Sequence, residues 1–267
     1  MANRKKIIVA AWKAYLTRAD TQQVAEGLKD WRENKSKKLD YDIVLSPSFP
    51  YLIPVNDIVE NTDISLSAQD VDPVTLGAFT GHIPPQILQD VGCKYVILGH
   101  SELRHLKNND YPRIHEKVKS SLENGLKVIL CIGETLKQKE ANQTYGTLKN
   151  QVESAIKGID EKFMKDNLGI AYEPVWAISS QEPTSPPTPK KINVINGQLR
   201  TLLERHLSKD TAETVRLLYG GSVNAENACG YLNEELVDGV LVGGASTKSN
   251  SFIQLLDAVE DKVALTT

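Results

Sequence analysis

The sequence predicts an α/β fold, one closed (β/α)8 barrel spanning residues 1–267 as a single domain, and three observations carry that prediction. Eight short β-branched or apolar runs alternate with longer, more polar, helix-like stretches, with no break in composition between them. Several of these runs are almost continuously apolar, as parallel strands buried on both faces should be. The first run ends in Ala11-Trp12-Lys13-Ala14, without the G-x-G-x-x-G turn that announces a doubly wound open sheet.

In chain order the predicted strands are Ile7–Ala11, Asp42–Ser46, Ile64–Ala68, Tyr95–Gly99, Lys127–Ile132, Gly169–Tyr172, Val215–Tyr219 and Gly239–Val242. Between the first two, Thr21–Trp31 sets Val24, Leu28 and Trp31 at helical spacing. Ile192–Leu207 does the same with Ile192, Ile195, Leu199, Leu202 and Leu203. Ser179–Pro189 is a loop, because its prolines Pro183, Pro186, Pro187 and Pro189 exclude a helix across it. It lies between the sixth strand and its helix, which favours a lid over an interdomain linker.

Composition narrows the class of function. Lys and Arg total 31 against 34 Asp and Glu, a net charge of −3, and no basic cluster of the kind that tracks nucleic acid is present. Arg4-Lys5-Lys6 is short and leads into a strand, so it reads as a solvated end. Cys93, Cys131 and Cys229 are far apart and form no C-x-x-C pair, which argues against zinc and disulfide frameworks and for buried thiols in a reducing compartment. No signal-peptide pattern and no apolar stretch of ~18 residues occurs, so no membrane partner is expected and the cytoplasm is the default location.

Barrel active sites sit at the C-terminal ends of the strands. Lys13 follows the first strand, Gln69 the third, His100-Ser101-Glu102 the fourth, Glu173 the sixth, Gly220-Gly221-Ser222 the seventh and Gly243-Gly244 the eighth. Singly, each has a plain reading: a surface lysine, a satisfied core histidine, a solvated strand-end carboxylate, a tight turn. Together they bring an acid, a base, a cation and two glycine-rich turns to one rim. His82, His105, His115 and His206 fall mostly in loops or helix-like stretches and read as surface residues.

These segments resemble the triosephosphate isomerase family over essentially the whole chain. Trp12-Lys13 resembles the family's N-W-K, Gly77-Ala78-Phe79-Thr80-Gly81 its third loop, and Gly99-His100-Ser101-Glu102 its G-H-S-E. Cys131-Ile132-Gly133-Glu134-Thr135 is similar to C-I-G-E-T. Glu173-Pro174-Val175-Trp176 resembles the base and lid hinge, and Tyr219-Gly220-Gly221-Ser222-Val223 and Val242-Gly243-Gly244 the two phosphate turns. The resemblance implies a TIM barrel that interconverts dihydroxyacetone phosphate and D-glyceraldehyde 3-phosphate through an enediolate. Glu173 is then the base, His100 a neutral electrophile, Lys13 the cation and Glu102 a supporting carboxylate. The family is the type case of this acid–base pairing, and the assignment is taken from it. Ser179, Ser222, Gly243 and Gly244, with Lys13, are implied to hold the phosphate. Pro174, Val175 and Trp176 form the hinge, and the Tyr219 hydroxyl pins the closed lid. Thr80 and Gln69 are implied at the contact of a homodimer. No metal and no organic cofactor is required.

The sequence also departs from the family pattern. Ala11 stands where the family has Asn. The lid Ser179–Pro187 is about three residues longer than the family's, with Ser179 in place of a glycine. His82 and Leu103 replace an acid and an arginine that pair across the family's dimer interface, so both partners of a buried ion pair are absent together. The expectation is a dimer with a more apolar contact at Leu103. Other readings are an isomerase of a four-carbon ketose phosphate such as erythrulose phosphate, a Schiff-base aldolase using Lys13, and a binding module that has lost catalysis.

Overall fold

The computed structural model describes residues 4–106, 110–178 and 185–263. Its strands are β1 (Lys6–Ala11), β2 (Tyr41–Ser46), β3 (Ser65–Ala68), β4 (Cys93–Leu98), β5 (Lys127–Ile132), β6 (Leu168–Tyr172), β7 (Arg216–Gly221) and β8 (Gly239–Val242). They pair in sequence order, all parallel, and β1 pairs with both β2 and β8, so the sheet closes on itself. Every predicted strand is present, with ends displaced by no more than two residues.

The outer ring begins with α1 (Arg18–Glu33), α2 (Leu52–Val59), α3 (Pro85–Asp90), α4 (Ser101–Leu106), α5 (Tyr111–Glu123) and α6 (Leu136–Glu140). It continues with α7 (Thr144–Ile156), α8 (Glu161–Met164), α9 (Pro189–His206), α10 (Lys209–Thr214), α11 (Ala228–Leu232) and α12 (Ser249–Val263). Local chemistry sets their starts. Thr17 and Asp20 form a reciprocal capping box at α1. Thr188 caps α9, and Pro189 occupies its first turn. The proline-rich loop therefore ends one residue earlier than its sequence indicates. Pro189 has no N–H to lose at a position where that N–H would be unpaired, so it starts the helix.

Side-chain alternation divides the apolar core in two. Ile7, Val9, Ala11, Val44, Ile97, Ile129, Cys131, Ala171, Leu218 and Leu241 form one buried cluster inside the barrel. Their neighbours, such as Ile8, Ala10, Leu45, Leu98, Ile132 and Tyr172, pack outward into the larger cluster beneath the helices. The three cysteines are buried and free. Among the described residues, no helix is long and apolar enough to cross a membrane.

Arg4 corrects the reading of a solvated N-terminal end. Its side chain is largely buried at the bottom of the barrel, donating to Asp238 Oδ1 at 2.8 Å and to Glu213 Oε2 at 3.0 Å. Asp238 also accepts the Leu217 N–H at 2.8 Å and faces the buried Arg200 Nη2 at 3.4 Å. This carboxylate joins β7, the start of β8, α9 and the N-terminal segment on the face opposite the rim, where barrels keep stability rather than chemistry. Asp238→Ala would take from the buried Arg200 guanidinium the carboxylate it faces. The expected loss is about 3–5 kcal/mol in urea unfolding, and an unchanged midpoint would refute it.

Candidate active site

The alternation of β6 runs one residue past its end. Ala171 faces into the barrel, Tyr172 faces out, and the N–H of Glu173 continues the ladder by donating to the Ile132 carbonyl at 2.7 Å. Glu173 therefore points inward. Its side chain is 3 % exposed, with Oε1 3.5 Å from His100 Nε2. Two glycines make room for it. A Cβ on Gly220 would lie 2.6 Å from Glu173 Cγ, and one on Gly133 would overlap the Glu173 carbonyl. Beneath lies Cys131, whose thiol is pushed well above its usual range by burial first and by the Glu173 carboxylate second. It stays an uncharged neighbour and adds no negative charge against the carboxylate.

His100 leaves β4 through Gly99, which has φ +72°, a left-handed conformation that suits glycine. A side chain there would also meet Arg104 Nη2 at 2.8 Å. Arg104 donates from Nε to the Gly99 carbonyl at 2.6 Å and from Nη2 to the Cys131 carbonyl at 2.9 Å, so it fastens the end of β4 to that of β5. The His100 carbonyl accepts the N–H groups of Leu103 and Arg104, which makes His100 the entry to α4. Its ring does the same: Nδ1 accepts the Glu102 N–H at 3.3 Å. A ring whose Nδ1 accepts is neutral and carries its proton on Nε2, the nitrogen that faces Glu173.

Lys13 also continues an alternation, from inward Ala11 through outward Trp12. It has φ +49°, uncommon for a residue with a Cβ. Its carbonyl is held by Ser48 Oγ at 2.9 Å and by Gln69 Nε2 at 2.8 Å, and the same Gln69 nitrogen reaches the Ser46 carbonyl at 2.9 Å. Gln69 Nε2 is thus engaged within the protomer. Ser48 is a site residue that the sequence reading missed. Its signal was a small polar residue just past β2, level with Lys13. The lysine ammonium pairs with Glu102 Oε1 at 2.7 Å.

Lys13, His100, Glu173 and Gly243 line one narrow cleft at the rim, together with Ile178, Gly220, Gly221 and Leu241. Ser222 adjoins it, its Oγ donating to the Ala177 carbonyl at 3.2 Å and so linking the β7 turn to the turn at Val175–Ala177. Gly244 faces a neighbouring groove with Thr247 and Lys248. Pro174 precedes a tight turn over Val175–Ala177. Ser179 lies outside the described residues. Tyr219 is fully buried. It stacks on Tyr231, with ring centres 4.3 Å apart, and the Tyr231 hydroxyl donates to the Pro187 carbonyl at 2.8 Å. Thr80 is exposed on the loop between β3 and α3. Among the described residues, no cluster of histidine, cysteine and carboxylate side chains could hold a metal ion.

A barrel that gathers a buried carboxylate, a neutral histidine and a paired lysine beside a glycine turn is an enzyme fold equipped for proton transfer on an anionic substrate. The comparisons give that class its family. The family model described as Triosephosphate isomerase matches residues 6–259, and the chain belongs to that family. It is 39 % identical to the triosephosphate isomerase of Syntrophotalea carbinolica over 95 % of this chain and 98 % of that protein. It is 37 % identical to that of Magnetococcus marinus over 96 % and 99 %. The protein of the same name from Fusobacterium nucleatum is 36 % identical over 96 % and 99 %.

Gln69→Leu removes a donor from the strained Lys13 carbonyl while keeping the side chain's bulk. It should lower kcat/KM by about tenfold, the cost of one well-placed hydrogen bond, with unchanged thermal stability. An unaffected kcat/KM would dismiss this role for Gln69.

Proposed function

We propose that this protein is an intramolecular isomerase interconverting dihydroxyacetone phosphate and D-glyceraldehyde 3-phosphate. The observation that carries the reading is the meeting of Glu173, His100 and Lys13 in one cleft beside Gly243. The Glu173 carboxylate removes a proton from the carbon beside the carbonyl. His100 Nε2–H donates to the carbonyl oxygen as negative charge develops there, and the enediolate forms between them. Returning the proton from Glu173 to the adjacent carbon, while the hydroxyl proton passes from one oxygen to the other by way of His100 Nε2, completes the exchange. Burial of the carboxylate favours the reaction, because it keeps water from the intermediate.

Lys13 supplies positive charge toward the phosphate and the developing enediolate, and Glu102 holds its ammonium in place. Backbone N–H groups of Ser222, Gly243 and Gly244, joined by that of Ser179, receive the phosphate. Both protons are moved by side chains, so the chemistry requires neither a metal nor an organic cofactor. Buried free thiols fit a reducing compartment, and the cytoplasm is the proposed location.

The active form is proposed to be a homodimer. A cavity of about 300 Å³ opens beside the site, lined by Ala11, Lys13, Phe49, Pro50, Ile97 and Leu103 among others. The loop between β3 and α3 exposes Leu76, Phe79 and Thr80. Insertion of this loop from a second copy would fill an apolar hole and cover apolar side chains together. His82 supports an apolar contact, since its Nδ1 lies 3.3 Å from Asp72 within the protomer and is not held in reserve for a partner. Light scattering at micromolar concentration should give twice the chain mass, and a monomeric mass would overturn the dimer.

A coupled assay on glyceraldehyde 3-phosphate should show turnover that Glu173→Gln lowers by about 10²–10⁴-fold. Faster turnover of a four-carbon ketose phosphate, or none of either, would replace the triose reading. Ala11→Asn should raise kcat/KM by up to about tenfold by adding a polar contact near the reacting oxygens. Equal or lower efficiency would count against it.

A further inference from the structure

The segment carrying Glu173 rests on more than its own strand. Residues Glu173–Ala177 lie across the loop that leaves β5. The Glu173 N–H donates to the Ile132 carbonyl at 2.7 Å, and the Val175 N–H to the Glu134 carbonyl at 3.0 Å. The Glu134 side chain, 1 % exposed, then takes the Trp176 indole N–H at 3.0 Å and the Tyr172 hydroxyl at 3.1 Å on its Oε1. The residues on either side of Glu173–Val175 are thus held by one buried carboxylate. The face of the indole is occupied as well. Lys139, in the last turn of α6, places its ammonium 3.3 Å from the centre of the Trp176 ring. That short helix is fixed at its start by a capping box of Thr135 and Gln138, so Lys139 is presented from an ordered support.

We propose that Lys139 is a positioning residue for this reaction, clamping the hinge residue Trp176 against Glu134 and thereby holding Glu173 where it meets the substrate. The inference rests on Glu173 being the base. A cation over an indole face is attracted by the ring quadrupole. Donation of the indole N–H to a carboxylate shifts electron density onto the ring and strengthens that attraction, so the two grips reinforce one another. Lys139 itself lies outside the cleft and the barrel core and touches no reacting atom. Its removal leaves the fold intact and loosens the turn at Val175–Ala177. A small drift of that turn moves the carboxylate two residues earlier, and proton transfer is sensitive to such displacements.

The test uses Lys139→Met, which keeps the stem and removes the charge, and Lys139→Arg, which keeps the charge. Each is made in protein labelled with fluorotryptophan, and the Trp176 resonance is identified from Trp176→Phe. Lys139→Met should lower kcat by about three- to tenfold, as expected for loss of one cation–π contact, with KM and melting temperature little changed. Its Trp176 fluorine resonance should shift or broaden while those of Trp12 and Trp31 stay in place, and Lys139→Arg should recover both kcat and the resonance. A wild-type kcat in Lys139→Met, an unmoved Trp176 resonance, or a fall in kcat matched by a fall in melting temperature would overturn the proposal. If the wild-type protein does not isomerise the triose phosphate, the functional reading fails by itself, and the fluorine spectrum still reports whether Lys139 holds Trp176.

Discussion

The hydrogen bond from the Glu173 N–H to the Ile132 carbonyl, at 2.7 Å, is the interaction on which the arrangement of the site depends. It extends the β5–β6 ladder one residue past the end of β6. Alternation in a strand is strict, so one further residue of pairing decides which face a side chain takes. With that bond Glu173 faces inward like Ala171. A slip of one residue would point it outward among the residues that contact the helices. The bond in turn requires a close approach of the two chains. Gly133 permits it, since any Cβ there would overlap the Glu173 carbonyl. The position of the proposed base is therefore set by a glycine on a neighbouring strand end as much as by its own neighbours in sequence.

The other side chains at the rim are held by the same device, a polar bond to a backbone carbonyl just past a strand. Arg104 holds the Gly99 and Cys131 carbonyls at the ends of β4 and β5. Ser48 and Gln69 hold the Lys13 carbonyl past β1. In each case the main chain leaves its strand in a left-handed conformation, at Gly99 or at Lys13. At Lys13, which carries a Cβ, that conformation persists only where surrounding bonds over-determine it. The strain and its restraints lie next to the proposed electrophile and cation, so both groups are placed before any substrate arrives. Preorganisation of this kind avoids reorienting dipoles while charge develops.

Much of this was legible in the sequence. The eight strands could be read because parallel strands buried on both faces leave long apolar runs, and Lys13, His100 and Glu173 could be read because each directly follows such a run. What was not legible has a common cause. Ser48 and Gln69 act on the carbonyl of a residue far away in sequence, and side-chain-to-backbone bonds of that kind leave no spacing pattern. Arg4 looked like a solvated terminal charge because its partners Asp238 and Glu213 come from the far end of the chain. The Tyr231 hydroxyl reaches the Pro187 carbonyl from a helix far from that proline in sequence, which no local pattern announces. Pro189 closes a run of prolines, which in sequence suggests loop, although the first turn of a helix accepts proline readily.

The departures from the family pattern acquire a common logic once they are placed in space. Ala11 and Leu103 both line the cavity beside Lys13, with Phe49, Pro50 and Ile97, so two polar side chains of the family pattern are missing from one wall. His82, at the base of the exposed loop, turns back to Asp72, which Arg113 Nη2 also approaches at 3.3 Å. Asp72 further accepts the Ile83 N–H at 3.0 Å and donates its own N–H to the Ile83 carbonyl at 2.9 Å, so it pinches the two ends of that loop together. Charge at this loop is spent within the protomer, on fixing the loop's shape. Burying a lone arginine or a lone carboxylate would be costly, and removing both avoids that cost while leaving an apolar surface whose burial is favourable. In the proposed homodimer, this loop with Leu76 and Phe79 would meet the apolar cavity of a second copy, shape and apolar area would stand in for the ion pair, and the lower polarity beside Lys13 would follow from the same exchange.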